Sequence, residues 1–324
     1  MSPRRARILL ILGTIVVAIT LILAATWLTK SMNVSRGAPI DAEGSITVVM
    51  CPACETVFNR LLLEGNAVHC ALYDVGETTG TVLAAVDAAV ITDDETDAAY
   101  GNPVERSGLM HNKFCIIDGL LVTSGSYNPT DGGVANHNNL VLIESPTLAR
   151  NYREAFDAIA DGGRASAREP IVYLGKNEEG SGAIRVVNAF CPLDGCEDQV
   201  VAVLDDAKES IQFMTFSFTS DAIGDALLRA QKRGVLVEGI CDGGQSRSER
   251  EYNECARVGA AMWEGAGLLH HKVFIVDETT VVTGSYNPTA AGTARNDENV
   301  LIVSDTTFAA AFIEEYDTIT AATK

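Results

Sequence analysis

The alternation of hydrophobic and polar positions predicts strands and helices that follow one another along the C-terminal part of the chain. Residues 197–209 have helical periodicity, and residues 211–218 form an apolar run typical of a buried strand. Residues 220–233 then indicate an amphipathic helix, and residues 236–241 a second strand. Such alternation favours an α/β layer fold built around a largely central sheet.

The preceding part of the chain shows the same alternation in a shorter form. Residues 66–75 and 87–94 predict strands, and the helix between them is compressed and rich in Gly and Thr. Residues 148–161 and 308–321 each have a helical pattern, so both parts of the chain end in a predicted helix. Residues 163–183 contain Pro, Gly and charged residues, which marks them as the connector.

The most hydrophobic stretch lies near the N-terminus. Residues 8–28 are uncharged and mostly Leu, Ile, Val and Ala, and this is the length needed to span ~30 Å of hydrocarbon. Three arginines precede the stretch, so the positive-inside rule predicts a cytoplasmic N-terminus and an extracytoplasmic body. A cleaved signal peptide is the alternative, although its apolar region usually has only ~7–15 residues. We therefore expect residues 1–30 to be a membrane anchor and residues 31–44 a linker.

The body of the chain repeats itself once. Residues 111–130 read HNKFCIIDGLLVTSGSYNPT, and residues 270–289 read HHKVFIVDETTVVTGSYNPT. The polar residues that recur at one constant spacing are His111 and His270, Lys113 and Lys272, Asp118 and Asp277, Ser126 and Ser285, and Asn128 and Asn287. The repeat divides the body into two similar halves, which we place at residues 45–162 and 184–324.

Composition agrees with a folded, exported body. Of the 324 residues, 47% are hydrophobic and 21% charged, which is typical of a globular protein. The net charge of −19 would repel the phosphates of nucleic acids and of anionic lipids unless a local basic site overrides it, so it says little about substrate.

The chain has eight cysteines, and an even number in an exported domain indicates disulfide bonds. Cys51 and Cys54 form a CPAC motif, which could also be a redox pair or half of a zinc site. Cys70 and Cys115 lie in apolar runs, where they could be buried thiols.

The repeated segment carries residues suited to phosphate chemistry. If HNKFCIID is a strand, His111 and Lys113 point to the same face because they are two residues apart. Asp118 falls on the other face or at the strand end, where an acid more plausibly supports a turn or an ion pair than contacts substrate. His271 points away from His270 towards packing or surface. Ser126 and Asn128 are short hydrogen-bond donors suited to a phosphoryl oxygen, and Ser285 and Asn287 repeat them.

Two histidines and two lysines would meet in one pocket if the halves pair about a pseudo-twofold axis. A neutral imidazole can attack phosphorus and form a phosphohistidine, while the second, protonated imidazole donates to the leaving oxygen. The lysines stabilise charge on the non-bridging oxygens, as a metal ion does elsewhere, so we expect neither metal nor cofactor.

The pattern His-x-Lys-x4-Asp followed by Gly-Ser-x-Asn resembles the signature of the phospholipase D superfamily, over roughly residues 45–320. The short loops are similar to those of the compact endonuclease and cardiolipin-hydrolase branch, whose members with a single motif dimerise. The resemblance implies two α/β/α halves that form a pseudo-dimer with one shared active site, preceded by the N-terminal transmembrane helix. Two motifs in one chain imply a functional monomer.

One position departs from the family pattern. The family usually places an acid after Gly-Ser-x-Asn, and the second half has Glu298 there, whereas the first half has Asn138. A carboxylate makes its imidazole partner more basic, while an amide only orients it, so the two histidines should have different roles. The resemblance implies that His111 is the nucleophile and His270 the general acid. The sequence does not show which histidine contacts Glu298.

The resulting hypothesis is a membrane-tethered, metal-independent phosphodiesterase that hydrolyses phospholipids, since a tethered site meets lipid continually. The first alternative is an endonuclease, favoured by the compact halves and opposed by the lack of a basic stripe with interleaved aromatic residues. The second is a phosphate-binding pseudoenzyme, which we would expect to have lost a motif His or Lys. Neither motif has lost one.

Overall fold

The computed structural model describes residues 38–175, 183–245 and 249–323, which form two β-sheets with helices on their faces. The predicted anchor at residues 8–28 lies outside the described residues. Within the described ranges, no helix is both long enough and apolar enough to cross a membrane.

The smaller sheet is built from the first half of the chain. In chain order the elements are β1 (Ile40–Asp41), β2 (Ser45–Met50), α1 (Cys54–Glu64), β3 (Val68–Leu72), α2 (Glu77–Ala85), β4 (Ala89–Asp93), β5 (Asn102–Val104), β6 (Lys113–Ile117), β7 (Leu121–Gly125), α3 (Asp131–Ala135), β8 (Asn139–Glu144) and α4 (Pro146–Ala160). All these strands except β1 form one sheet in the order β2-β8-β7-β6-β3-β4-β5. In this sheet β3 is parallel to β4 and antiparallel to β6.

The larger sheet is built mainly from the second half. The elements are β9 (Ile171–Leu174), β10 (Ile184–Cys191), α5 (Cys196–Asp206), β11 (Ser210–Thr215), α6 (Asp221–Arg233), β12 (Leu236–Asp242), α7 (Glu249–Arg257), β13 (Ala261–Trp263), β14 (Lys272–Val276), β15 (Thr280–Gly284), α8 (Ala290–Ala294), β16 (Glu298–Ser304) and α9 (Thr306–Thr323). The strand order is β1-β9-β10-β16-β15-β14-β11-β12-β13. Because β11 is parallel to β12 and antiparallel to β14, this sheet repeats the arrangement of β3, β4 and β6. The predicted α/β class, with one sheet in each half, is confirmed.

Two strands lie in segments where the sequence predicts only connections. β1 falls within the linker at residues 31–44, β9 falls within the connector at residues 163–183, and they pair in parallel at the edge of the larger sheet. They contain two and four residues, which is too short for a hydrophobic period to be recognised.

The start and end of α6 follow from its sequence. The hydroxyl of Ser220 accepts a hydrogen bond from the backbone N–H of Ile223, which satisfies one of the free donors of the first turn. The helix ends at Gly234, whose φ of 90° is a conformation that glycine adopts without a steric cost. The predicted helix at residues 220–233 therefore agrees closely with the structure.

One hydrophobic cluster joins the inner faces of both sheets with α4 and α9. The ring of Tyr152 in α4 lies 4.9 Å from that of Phe114 in β6 and 5.0 Å from that of Phe190 in β10. Burying a side chain of this size stabilises a fold by about 1.5–3 kcal/mol. Two further clusters lie on the outer faces, under α1 and α2 on one side and α5 and α6 on the other. The two halves thus share a core, and the described residues from Pro39 onwards pack as one unit.

The prediction of disulfide bonds is confirmed, because all eight cysteines are paired: Cys51–Cys54, Cys70–Cys115, Cys191–Cys196 and Cys241–Cys255. The interpretation of Cys70 and Cys115 as buried thiols is wrong. The antiparallel register of β3 and β6 places these two residues directly opposite each other, within bonding distance.

Candidate active site

The two His-x-Lys pairs lie at the starts of equivalent strands. Lys113 is the first residue of β6 and Lys272 the first residue of β14, with His111 and His270 two residues before them. All four side chains are at least nine-tenths buried. Each lysine Nζ donates to the carbonyl of the histidine of its own motif, at 2.7 Å in both halves. The two-residue spacing therefore fixes each lysine against its own histidine.

An aromatic ring packs on each pair. The Tyr73 ring lies 4.9 Å from the His111 ring and 5.1 Å from Lys113 Nζ. Phe216 repeats this arrangement, 4.6 Å from the His270 ring and 4.9 Å from Lys272 Nζ. Sequence reasoning missed both rings. Their positions could have indicated them, because Tyr73 directly follows β3 and Phe216 directly follows β11, the strands that pair with the two lysine-bearing strands.

Hydrogen bonds cross between the halves at the histidines. Both carboxylate oxygens of Glu298, from the second half, lie 2.9 Å from Nδ1 of His111, in the first half. Conversely, Asn138 Oδ1, from the first half, lies 2.8 Å from Nδ1 of His270, in the second. Both partners are fully buried. Because Nδ1 of each ring is engaged, Nε2 is the ring atom left for a substrate.

The serines do not lie where the sequence places them. The sequence predicts that Ser126 and Ser285 contact a phosphoryl oxygen. In the structure both side chains are fully buried. Ser126 Oγ donates to Asn138 Oδ1 and accepts from the backbone N–H of Asn139, each at 3.0 Å. Ser285 Oγ accepts from the backbone N–H of Asn299 at 2.9 Å. These hydroxyls turn towards the start of the next strand, so Ser126 orients Asn138.

The asparagines of the two Gly-Ser-x-Asn segments remain available to a ligand. Asn128 and Asn287 are partly exposed. The Oδ1 atom of each is buried and has no hydrogen-bond partner in the described part of the chain. A phosphoryl oxygen accepts hydrogen bonds, so the role that the sequence predicts for these residues falls to their Nδ2 groups and not to Oδ1.

The motif aspartates lie at strand ends. Asp118 Oδ1 accepts from the backbone N–H groups of Asn66 and Ala67 at 2.9 and 2.8 Å. Asp277 Oδ1 accepts from the backbone N–H groups of Glu209 and Ser210 at 2.7 and 3.0 Å. Both carboxylates hold a neighbouring turn, which is the supporting role that their spacing predicts.

Burial sets the electrostatics of the pocket. It lowers the pKa of Lys113 to about 7 and holds the pKa of Lys272, with help from the charge of Lys113, well below its usual value. Burial also lowers the pKa of His111, although Glu298 opposes the shift. The pKa of His270 is held well below its usual value by burial and then by the two lysines. Burial thus disfavours the protonated forms of the two lysines and the two histidines. An anion bound between these groups would favour the protonated forms again.

A second polar cluster lies beside the site. His271 is fully buried, and its Nε2 lies 3.3 Å from Glu315 Oε1 in α9, while Nδ1 of His137 lies 3.4 Å from the same oxygen. Although burial opposes it, these two hydrogen bonds lower the pKa of Glu315 to about 2. Sequence reasoning predicts only packing or surface for His271 and misses Glu315. Nothing in a helical pattern shows which acid turns inward.

The described residues include no group of three or more His, Cys, Asp or Glu side chains placed to hold a metal ion. A site with two buried imidazoles, two buried amines and two partly exposed amides is suited to cleaving a phosphoric ester, which defines the class as a phosphodiesterase.

Comparison with known proteins agrees with this class. The family model described as "Cardiolipin synthase, PLD-like domain" matches residues 84–160 and 200–320. The phospholipase D of Rickettsia bellii is 33% identical over 137 residues, which cover 41% of this chain and 67% of that protein. The mitochondrial cardiolipin hydrolase of Xenopus tropicalis is 32% identical over 133 residues, covering 39% of this chain and 63% of that protein.

A solved structure resembles the fold across both halves. The crystal structure of phosphatidylserine synthase from Haemophilus influenzae Rd KW20 matches with a TM-score of 0.63 at 12% identity, covering 85% of this chain and 86% of that one. With the family model matching in both halves, the chain belongs to the phospholipase D-like family and is a phosphodiester hydrolase.

Proposed function

We propose that this protein hydrolyses phospholipids through a phosphohistidine intermediate, without a metal ion, at one site shared by its two halves. The halves act as a pseudo-dimer within a monomer, and residues 8–28 anchor the chain so that the body faces out of the cytoplasm. The crossed hydrogen bonds carry this proposal. Because Glu298 holds His111 and Asn138 holds His270, neither half completes a histidine site alone.

The carboxylate favours His111 as the nucleophile. When Nε2 attacks phosphorus, the imidazole acquires a positive charge, and Glu298 at Nδ1 stabilises that charge. The bond to the leaving alcohol breaks, and protonated His270 donates its Nε2 proton to the departing oxygen. In the second step His270 accepts a proton from water, the water oxygen bonds to phosphorus, and the phosphorus–nitrogen bond breaks. The products are the alcohol and a phosphatidic acid.

The other pocket residues bind the transferring group. Lys113 and Lys272 compensate the negative charge of the non-bridging oxygens, and the Asn128 and Asn287 amides donate to them. The anion raises the depressed pKa of both lysines, which keeps them charged while substrate is bound. It also raises the pKa of His270, which gives the general acid its proton.

The names of the relatives support a lipid substrate, because they include a phospholipase D and a cardiolipin hydrolase. The predicted anchor supports it too, since a tethered site is always near a bilayer.

Product analysis tests the proposal. The full chain, purified in detergent with EDTA present, is offered phospholipid in mixed micelles and, separately, single-stranded DNA. We expect release of the lipid head group, lost in both His111→Ala and His270→Ala. Cleavage of DNA with intact lipid would establish an endonuclease instead. Activity that requires an added metal ion would contradict the mechanism.

A further inference from the structure

Two buried aspartates occupy equivalent places in the two halves, outside the repeated motifs. Asp93 is the last residue of β4 and Asp242 the last residue of β12, and they are 1% and 2% exposed. β4 runs parallel to β3, which Tyr73 follows, and β12 runs parallel to β11, which Phe216 follows. Each aspartate therefore lies one strand beyond the aromatic ring that packs on the histidine and lysine of its own half.

Both carboxylates hold the backbone that leads into a motif histidine. Asp93 Oδ2 accepts a hydrogen bond from the backbone N–H of Met110 at 2.6 Å, and Asp242 Oδ2 accepts one from Leu269 at 2.8 Å. Met110 and Leu269 are the residues directly before the two motif histidines. The Oδ1 atom of each aspartate accepts from a backbone N–H in the loop after its own strand, at 2.9 Å in both halves. All hydrogen bonds to these carboxylates in the described part of the chain thus come from backbone N–H groups.

The charge of each carboxylate acts on the lysine of its own half. Burial is the main cause that lowers the pKa of Lys113 and of Lys272, and Glu298 opposes it at both amines. Asp93 opposes it further at Lys113, and Asp242 does so at Lys272. A buried carboxylate without a cation is costly, and so is a buried ammonium without an anion. Each half therefore supplies one carboxylate that compensates the charge of its own lysine.

We propose that Asp93 and Asp242 are positioning residues, each of which stabilises the ammonium group of the motif lysine in its half before a phosphoryl group arrives. The same carboxylate fixes the chain at the motif histidine, so histidine and lysine are held together. Without it, the incoming anion alone would have to compensate the lysine charge, and its affinity would depend more steeply on pH. This inference rests on the phosphate-binding role that the proposed function gives the lysines.

Several other groups influence the charge of Lys113. The titratable groups that act on it, or on which it acts, are Glu298, Asp74, Lys272, His111, His270 and the ring of Tyr73. Replacing Glu298 would also remove the partner of His111, so it cannot isolate the lysine. Asp74 is partly exposed, and its carboxylate accepts the backbone N–H of Val75. Its replacement therefore removes charge near Lys113 with little effect on packing.

Sulfate binding at two pH values tests the inference, because sulfate keeps its charge between pH 6 and pH 8. Since the pKa of Lys113 is about 7, the Kd of the full chain should be at least about tenfold higher at pH 8 than at pH 6. In Asp93→Asn the pKa of Lys113 should be lower, and this ratio should rise about fivefold further. A loss of packing alone would change both Kd values by the same factor. Calorimetric titration gives the Kd values, and thermal unfolding checks the fold.

Asp242→Asn acts on the amine whose pKa is held well below its usual value. Lys272 must therefore acquire its proton from solution at both pH values, and sulfate binding should already be weaker at pH 6, by about threefold or more. An unchanged Kd at pH 6 in folded Asp242→Asn would overturn the inference for the second half.

Asp194→Asn is the matched control. Asp194 Oδ2 accepts the backbone N–H groups of Ala167 and Phe190, so the variant loses hydrogen bonds of the same kind and should keep the original ratio. Asp74→Asn should raise the ratio about twofold, and it decides the matter if Asp93→Asn does not fold. An unchanged ratio in folded Asp93→Asn, or otherwise in Asp74→Asn, would overturn the inference, as would the absence of sulfate binding to the original chain. Head-group release tests the proposed function separately, because sulfate binding does not depend on which ester is cleaved.

Discussion

His111 and His270 occupy equivalent places in the two halves, yet a carboxylate holds the first and an amide holds the second. Glu298 and Asn138 lie 2.9 and 2.8 Å from Nδ1 of their rings, so these distances do not separate the two histidines. The charge of the partner separates them. In the proposed mechanism, this one difference between two copies of the same fold assigns each histidine a different step of the reaction.

The polar networks behind the histidines differ as well. His271 bonds to Asn139 and Glu315, whereas Asn112, at the equivalent place in the first half, has no hydrogen-bond partner for either side-chain polar atom among the described residues. The first half has Ala155 at the place of Glu315. The second half therefore has the more complete hydrogen-bond network next to its motif histidine. That histidine, His270, is the one whose Nδ1 has no carboxylate partner.

Removing the carboxylate should have the largest effect. Glu298→Gln keeps the hydrogen bond to His111 but cannot stabilise the positive charge that develops on the ring, so we expect kcat to fall about 10³-fold. Asn138→Ala removes only an orienting contact and should lower kcat by about tenfold. Steady-state kinetics on one phospholipid, with thermal unfolding as the check of folding, gives both values. Equal losses would show that the two partners have the same role.

Converting the amide into a carboxylate should make the halves alike. In Asn138→Asp the new charge raises the pKa of His270, which burial and the lysines hold low in the original chain. A general acid with a raised pKa keeps its proton to higher pH, so the alkaline limb of kcat should move up by about one pH unit. The acidic limb, set by His111 and Glu298, should move less. A downward shift of the alkaline limb in the pH–rate profile would exclude His270 as the acid.

Binding of an anion should take up protons. At pH 8 most Lys113 side chains are neutral, because the pKa of the amine is about 7. Inorganic phosphate in the pocket raises that pKa, so the complex should bind an additional proton from solution, and the uptake should shrink at pH 6, where the amine is already charged. Calorimetric titration in two buffers of different ionisation enthalpy measures the number of protons. Proton release at pH 8 would contradict this account of the lysines.

The smallest expected effect concerns the outer cluster. Glu315→Gln replaces a charged acceptor of two histidine hydrogen bonds, and we expect a loss of about 1–2 kcal/mol in the free energy of unfolding at neutral pH. Glu315 does not contact the ring of His111 or His270, so we expect kcat to change by less than about threefold. Urea denaturation and steady-state kinetics separate the two effects. A large loss of kcat without loss of stability would place Glu315 in the catalytic machinery.

The repeat predicts which histidines and lysines form the candidate site and predicts a sheet in each half, because those features depend on local spacing. It cannot predict that Glu298 meets His111 and not His270, since that contact depends on how two distant halves pack. The direction of the Ser126 hydroxyl follows from the loop after it, and the inward position of Glu315 follows from the placement of the last helix.

Trapping the covalent intermediate tests the central assignment most directly. A p-nitrophenyl phosphodiester needs no general acid, so His270→Ala should still form the phosphohistidine but should hydrolyse it slowly, because the base for water is missing. Quenching under alkaline conditions, followed by peptide mass spectrometry, should locate the adduct on the peptide that contains His111. An adduct on His270 in the His111→Ala variant, with none on His111 in His270→Ala, would reverse the assignment and contradict the role given to Glu298.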